Sequence, residues 1–172
     1  MKKHNGMRPH DIAILLKIAS KGNDKWYMKD LAHELQISPS EISESINRSI
    51  IAGLISSDKK TLKKLAVLDF IKSGLKYVYP QQPGAMVRGI ATAHSAPPLN
   101  NEIMSEEQFV WPYAKGNLRG QAVEPLHPKM AEACLKDSQF YELMALVDAI
   151  RVGKVREQHL AFEMIKERIE HA

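Results

Sequence analysis

Apolar side chains recur along most of the chain at three- and four-residue spacing, the period of a helix with one buried face. Over 9–20 the buried positions are Ile12, Leu15, Leu16 and Ala19, with Gly22 as the stop. Over 28–35 they are Leu31, Ala32 and Leu35. A third helix opens at Ser38, which can accept a hydrogen bond from the free amide of Glu41. Pro39 takes the first helical position, and the Glu41 side chain can reach back to Ser38. Ile42, Ile46 and Ile50 bury one face of this helix, predicted over 38–52 and ended by Gly53. The same pattern leaves Ser40, Ser43, Glu44, Asn47 and Arg48 pointing outward. Trp26 and Tyr27 are placed to pack over the junction of the first two helices.

Leu62, Leu65, Leu68, Phe70 and Ile71 predict a further helix with Gly74 as its end. Beyond residue 75 the texture changes, with β-branched and aromatic fragments broken by proline and glycine. Short strands are expected at 77–79, 89–93, 109–111 and 118–123, with turns at 82–84 and 115–117 and a polar loop or single helical turn at 99–108. Three or four of these fragments can pair into a small sheet. The remainder is helical. A short helix is expected over 129–136, then one capped by Asp137 or Ser138 with a broad apolar face from Tyr141 to Ile150. A last helix over 155–169 carries a narrower stripe of Leu160, Ala161, Met164, Ile165 and Ile169, which packs on its predecessor or on a second copy of the chain. The fold class is therefore mostly α, of the α+β kind, divided as a helical unit over 1–75 and a small mixed unit over 76–172.

Composition narrows the function. No apolar run approaches the roughly 18–20 residues that a membrane span needs, and MKKHNGMRPHD lacks the apolar segment of an export signal, so a cytoplasmic protein with no membrane partner is expected. Cys134, the single cysteine, reads as a small core residue between Ala131 and Leu135. Charge is uneven: residues 1–64 hold 12 Lys or Arg against 7 Asp or Glu, and the rest of the chain 12 against 13. The basic excess lies with the helix–turn–helix pattern, as a phosphate-binding face requires. Arg and Asn are also the side chains that read guanine and adenine edges by paired hydrogen bonds.

The run DLAHELQISPSEISESINRSIIAGLI, with Ala32 in the first helix, Ile37 in the turn, Ser38 as cap and Gly53-Leu54-Ile55 after the last helix, resembles winged helix-turn-helix regulators of the MarR-like class over about residues 8–60. The resemblance implies groove or phosphate contacts from Ser40, Ser43, Asn47 and Arg48, with Ser38 and Glu44 on the same interface. One departure is plain: SSDKK gives way almost at once to the helical TLKKLAVLDFIKSG, so the wing is short or missing. Lys59, Lys60, Lys63 and Lys64 can replace it as phosphate contacts; the alternative is a solvated helix start. RGIATAHSAPPL at 88–99, VWPYAKGNLRG at 110–120 and YELMALVDAIRVG at 141–153 are similar to a loosely described group of bacterial winged-helix proteins. That similarity implies a bacterial regulator-like protein working beside a partner encoded nearby.

No catalytic constellation is present. Of the seven histidines none pairs with another histidine, the cysteine or a carboxylate at a familiar metal-ligand spacing, and there is no phosphate loop, dinucleotide fingerprint or serine elbow. Neither an enzyme nor a cofactor nor a metal is expected. His94 and Arg88 are the best positions for a small-ligand or partner site, against a structural hydrogen bond from Arg88 to loop carbonyls. The sequence leads to a transcription regulator that binds double-stranded DNA as a homodimer and places helix 38–52 in the major groove. The alternative is an adaptor or antitoxin-like protein that holds a partner enzyme through 76–172.

Overall fold

The structure is a computed structural model, and it describes residues 5–172. The first helices form where the apolar spacing places them: α1 is Pro9–Ser20, α2 is Met28–Leu35 and α3 is Pro39–Ile51. Gln36, in the left-handed region at φ 53°, reverses the chain between α2 and α3. Ser38 Oγ accepts the Glu41 N–H at 3.2 Å, as the cap requires. Gly53, at φ 79°, ends α3 with its N–H on the Ile50 carbonyl and the Leu54 N–H on that of Ser49, a Schellman termination.

After α3 the backbone makes a minimal hairpin. Ile55 and Leu62 form an isolated antiparallel bridge, flanked by hydrogen bonds from Ser56 N–H to the Thr61 carbonyl and from Lys63 N–H to that of Leu54, both 2.9 Å. Helix α4, Lys64–Ser73, follows and ends at Gly74. Leu65, expected on its buried face, is instead 76% exposed; Val67, Leu68 and Ile71 turn inward. The strand expected at 77–79 is also corrected. Leu75–Val78 is a helical turn, α5, because Val78 N–H and Tyr79 N–H close on the carbonyls of Gly74 and Leu75 while Leu75 is buried. The β propensity of Tyr-Val-Tyr yields there to packing.

Three strands make the sheet: β1 Met86–Ala91, β2 Phe109–Pro112 and β3 Leu118–Ala122. β1 is antiparallel to both others, and β2 and β3 are parallel to each other over Phe109–Val110 and Gln121–Ala122, so each strand pairs with the other two. Such a closed arrangement requires a backbone crossing without side chains. A Cβ on Gly89 would lie 1.9 Å from the Trp111 carbonyl oxygen. Gly89→Ala is therefore expected to destabilise the protein by about 1–3 kcal/mol or more, read as a lowered urea midpoint; an unchanged midpoint would show that the strands can part.

The last helices are α6 Met130–Leu135, α7 Ser138–Val152 and α8 Val155–Glu170. Asp137 caps α7 by accepting the Phe140 N–H at 3.1 Å. Leu143 to Ile150 are all buried, because α7 runs between α1, α8 and the 3₁₀ turn after β1 and reaches the sheet through the Asp148 bond to Trp111 and the Tyr141 bond to Ala91. The stripe of α8 packs on α7, the first of its two expected partners. Buried residues from Ile12 to Ile169 form one cluster, so the core continues across residue 75, where the sequence suggests a boundary. His127 joins the halves. Its Nε2–H donates to the Leu35 carbonyl at the end of α2 (2.7 Å), and burial holds the imidazole below its ordinary pKa and neutral. The architecture is mostly helical α+β, with eight helices and a small three-stranded mixed sheet mid-chain among the described residues. None of these helices is long and apolar enough to cross a membrane.

Candidate nucleic-acid interface

α3 buries Ile42, Ser45, Ile46, Arg48 and Ser49. Its opposite arc carries Ser40, Glu44 and Asn47 in the open and Ser43 half-buried, followed by Ile51 at 65% exposure; Ser38 is exposed at the cap. Five of the six expected helix positions thus lie on one accessible side. The sixth does not.

Arg48 is 6% exposed and faces α1. Its Nε and Nη2 donate to the two oxygens of Asp11, each at 2.8 Å, and Nη2 also donates to Glu41 Oε1 at 2.5 Å. The expectation that Arg48 points outward is corrected on this geometry. Residues 41, 45 and 48 lie along one edge of the helix at three-, four- and seven-residue spacing, and that edge meets the N-terminal turn of α1. Asp11 itself is fully buried and accepts the Arg8 N–H at 2.8 Å. Burial pushes its carboxyl up, but the hydrogen bonds from Arg48 and Arg8 prevail and hold it below the ordinary carboxylate value. The Asp11 hydrogen bonds in turn raise the pKa of Arg48.

Glu41 is displaced from its expected role too. Its side chain does not close a capping box on Ser38 but meets Arg48 and the Nε2–H of His10, at 2.8 Å. Ligand atoms of His10, Asp11 and Glu41 cluster within 4.8 Å, close enough to hold a metal ion. The guanidinium of Arg48 already fills that position, since its Nη2 bonds both carboxylates and lies 3.4 Å from His10 Nε2. An internal cation leaves this cluster no reason to recruit another.

The hairpin after α3 carries the basic side chains. Asp58 builds its tip by accepting the N–H of Lys60 (2.8 Å), the N–H of Thr61 (2.9 Å) and the Thr61 hydroxyl (2.6 Å), and these bonds lower its pKa, the hydroxyl foremost. Lys59 turns the corner at φ 62°. Lys59, Lys60 and Lys63 are exposed, whereas Lys64 is half-buried with its Nζ on the main-chain oxygen of Ala172 at 3.4 Å. Trp26 fixes the tip from below, its indole N–H donating to the Lys60 carbonyl at 3.0 Å. Tyr27, beside it, is more than half exposed. A cleft of about 450 Å³ opens between these aromatics and the hairpin.

The two positions singled out for a small ligand separate. Arg88 is exposed on β1, paired through its backbone with Arg119, while His94 is buried in a 3₁₀ turn after that strand. Cys134 is buried, and burial pushes its thiol pKa up, which keeps it protonated and inert. Sequence reasoning missed Asp11 and Glu41 as partners of Arg48. The available signal was an aspartate one residue before the apolar run of α1, on a helix with apolar side chains on all sides; a buried carboxylate needs a cation. No family model matches the chain, and no curated protein or solved structure matches it either.

Proposed function

We propose that the chain is a DNA-binding transcription regulator of the winged helix-turn-helix kind, which lays α3 in the major groove of double-stranded DNA. The observation that supports it is the succession of a small polar arc, Ser40, Ser43, Glu44 and Asn47, on a helix with its other face buried, and a short hairpin that exposes Lys59, Lys60 and Lys63. Small side chains let a helix approach base edges, Asn47 can pair with the N6 and N7 of adenine, Glu44 can accept from cytosine, and lysines place the protein on phosphates without reading sequence. The reduced hairpin acts as the wing. Arg48 supports α3 from behind and is not a groove contact in this reading. Two copies of α3 on a two-fold site would supply the remaining affinity, so the regulator acts as a homodimer in the cytoplasm.

A duplex titration at several salt concentrations tests the reading, starting from DNA of the gene's own promoter region. Affinity should fall steeply with salt, and replacing Lys59, Lys60 and Lys63 together by alanine should reduce the slope of log K against log salt by up to about 3. Asn47→Ala should cost about 1–3 kcal/mol at a specific site while leaving the melting temperature unchanged. Duplex affinity that ignores salt would rule the reading out. The second reading, an adaptor that holds a partner enzyme through 76–172, is favoured by the exposed apolar side chains of Tyr77, Val78 and Met86. A partner that co-purifies from the native host, and is lost when these three are made polar, would support it over the first.

A further inference from the structure

A buried polar atom without a hydrogen-bond partner lies away from α3, where the turn after β1 meets the start of α8. His94 is 4% exposed, and its Nε2 lies 2.8 Å from the carbonyl oxygen of Glu107. A carbonyl only accepts, so Nε2 carries the hydrogen, which leaves Nδ1 as the nitrogen open to a ligand. Nδ1 has no hydrogen-bond partner. The group nearest to supplying one is Glu157 Oε1, at 3.8 Å, itself an acceptor. An imidazole nitrogen and a carboxylate oxygen therefore face each other across a gap too long for a direct hydrogen bond and wide enough for a bridging cation.

Both groups are held in that attitude from behind. The Phe109 ring meets the imidazole edge-on with centroids 4.8 Å apart, and Ala93, immediately before it, takes the left-handed conformation at φ 55° that non-glycine residues avoid. Glu157 is fixed by its other oxygen, Oε2, which accepts the Lys154 N–H at 2.5 Å. A histidine whose far nitrogen donates to a main-chain carbonyl, opposite a carboxylate whose far oxygen accepts a main-chain N–H, is the outer-shell arrangement that orients metal ligands.

We propose that His94 Nδ1 and Glu157 Oε1 are ligands of a divalent transition-metal ion that joins the turn after β1 to the first turn of α8. Bonds of about 2.1 Å to each donor span 3.8 Å at an angle of about 130°, and the pair need close by only about 0.4 Å for a tetrahedral ion. The cleft beside them, about 330 Å³, is also lined by Glu107, Ser105, Gln121 and Lys154. Water from this cleft completes the coordination. Two carboxylates against one lysine leave the lining net negative, as a cation requires. An imidazole with a carboxylate selects zinc, manganese or cobalt over calcium or magnesium, which take oxygen alone. The His10, Asp11 and Glu41 cluster does not compete, because Arg48 occupies it.

The test uses the whole chain and zinc chloride alone. Histidine ring spectra by 15N NMR should show the His94 Nδ1 resonance shifting on zinc addition while its Nε2 hydrogen stays in place, and calorimetry should give one tight ion per chain. His94→Gln, which keeps an amide donor for the Glu107 carbonyl and removes Nδ1, should abolish that site. Glu157→Gln, which keeps the bond to Lys154 N–H, should weaken it at least about tenfold, and His10→Gln should leave it unchanged. The proposal fails if the His94 ring does not respond to zinc, or if the tight site survives both substitutions. Should His94→Gln not fold, the wild-type ring spectrum alone decides.

Discussion

Replacing Asp148 by alanine is expected to remove about 3–5 kcal/mol of folding stability, the cost of leaving a buried charge without its partner. Asp148 lies on α7 at 1% exposure. Its Oδ2 accepts the Thr92 hydroxyl at 2.7 Å and the Trp111 indole N–H at 2.6 Å, and its Oδ1 accepts Arg151 Nη1 at 2.9 Å. Burial raises its carboxyl pKa, opposed first by Arg151 and then by Thr92 and Trp111. Three donors on two oxygens favour the carboxylate at neutral pH. Arg151 continues the network to the main-chain oxygens of Tyr79 and Glu124, and Tyr141 on the same helix donates its hydroxyl to the Ala91 carbonyl. One aspartate thus attaches α7 to β2, to the turn after β1 and to the segment after α5. The measurement is the urea midpoint of Asp148→Ala against Thr92→Val and Trp111→Phe. Each of the latter removes a single donor and should cost about 1 kcal/mol from its hydrogen bond, Trp111→Phe adding a packing loss. A loss below 1 kcal/mol for Asp148→Ala would mean that the sheet is held to α7 by packing alone.

This network also marks where the sequence was readable. α1, α2 and α3 follow from apolar spacing and from local end signals such as Ser38, Pro39 and Gly53, each of which acts within a few residues of itself. The strands at 109–111 and 118–123 were legible as β-rich fragments, though nothing local fixes that β1 pairs with both. Asp148 was not legible at all. Within ELMALVDAIRV it reads as an ordinary polar interruption of an apolar face, and its partners Thr92 and Trp111 are 56 and 37 residues away. Arg48 was misassigned for the same reason: its place on the helix edge was in the sequence, but the carboxylate that draws it inward is 37 residues earlier. His94 stood out only as a histidine in a proline-bounded segment. Its orphan nitrogen depends on Glu107 and Glu157, which only the folded chain brings beside it.

Arg48→Met is expected to cost about 3–5 kcal/mol at pH 7, almost all of it through Asp11. Glu41 is 29% exposed and can turn to water and to His10, so its share is small. The pH dependence gives the sharper test. In the wild type the Asp11 and Glu41 carboxyls are both held below their ordinary values, so the stability they lend is present above those values and is lost as pH falls through the lowered ones. In Arg48→Met burial acts on Asp11 without its main opponent and should raise that carboxyl. A raised acid binds a proton on folding, so the variant should lose stability as pH rises through the raised value. The gap between the two proteins should therefore be widest near neutrality and should narrow as pH falls from the variant's raised value toward the wild type's lowered one, because over that window only the variant's folded Asp11 holds a proton. Asp11→Asn combined with Arg48→Met should recover much of the loss, because no buried charge then remains. If the single variant is within 1 kcal/mol of wild type at pH 7, Arg48 is not a folding residue, and its assignment to the DNA surface returns. If it is unstable while its folded fraction binds duplex normally, α3 reads DNA through Asn47 and the hairpin lysines with Arg48 holding the helix from beneath.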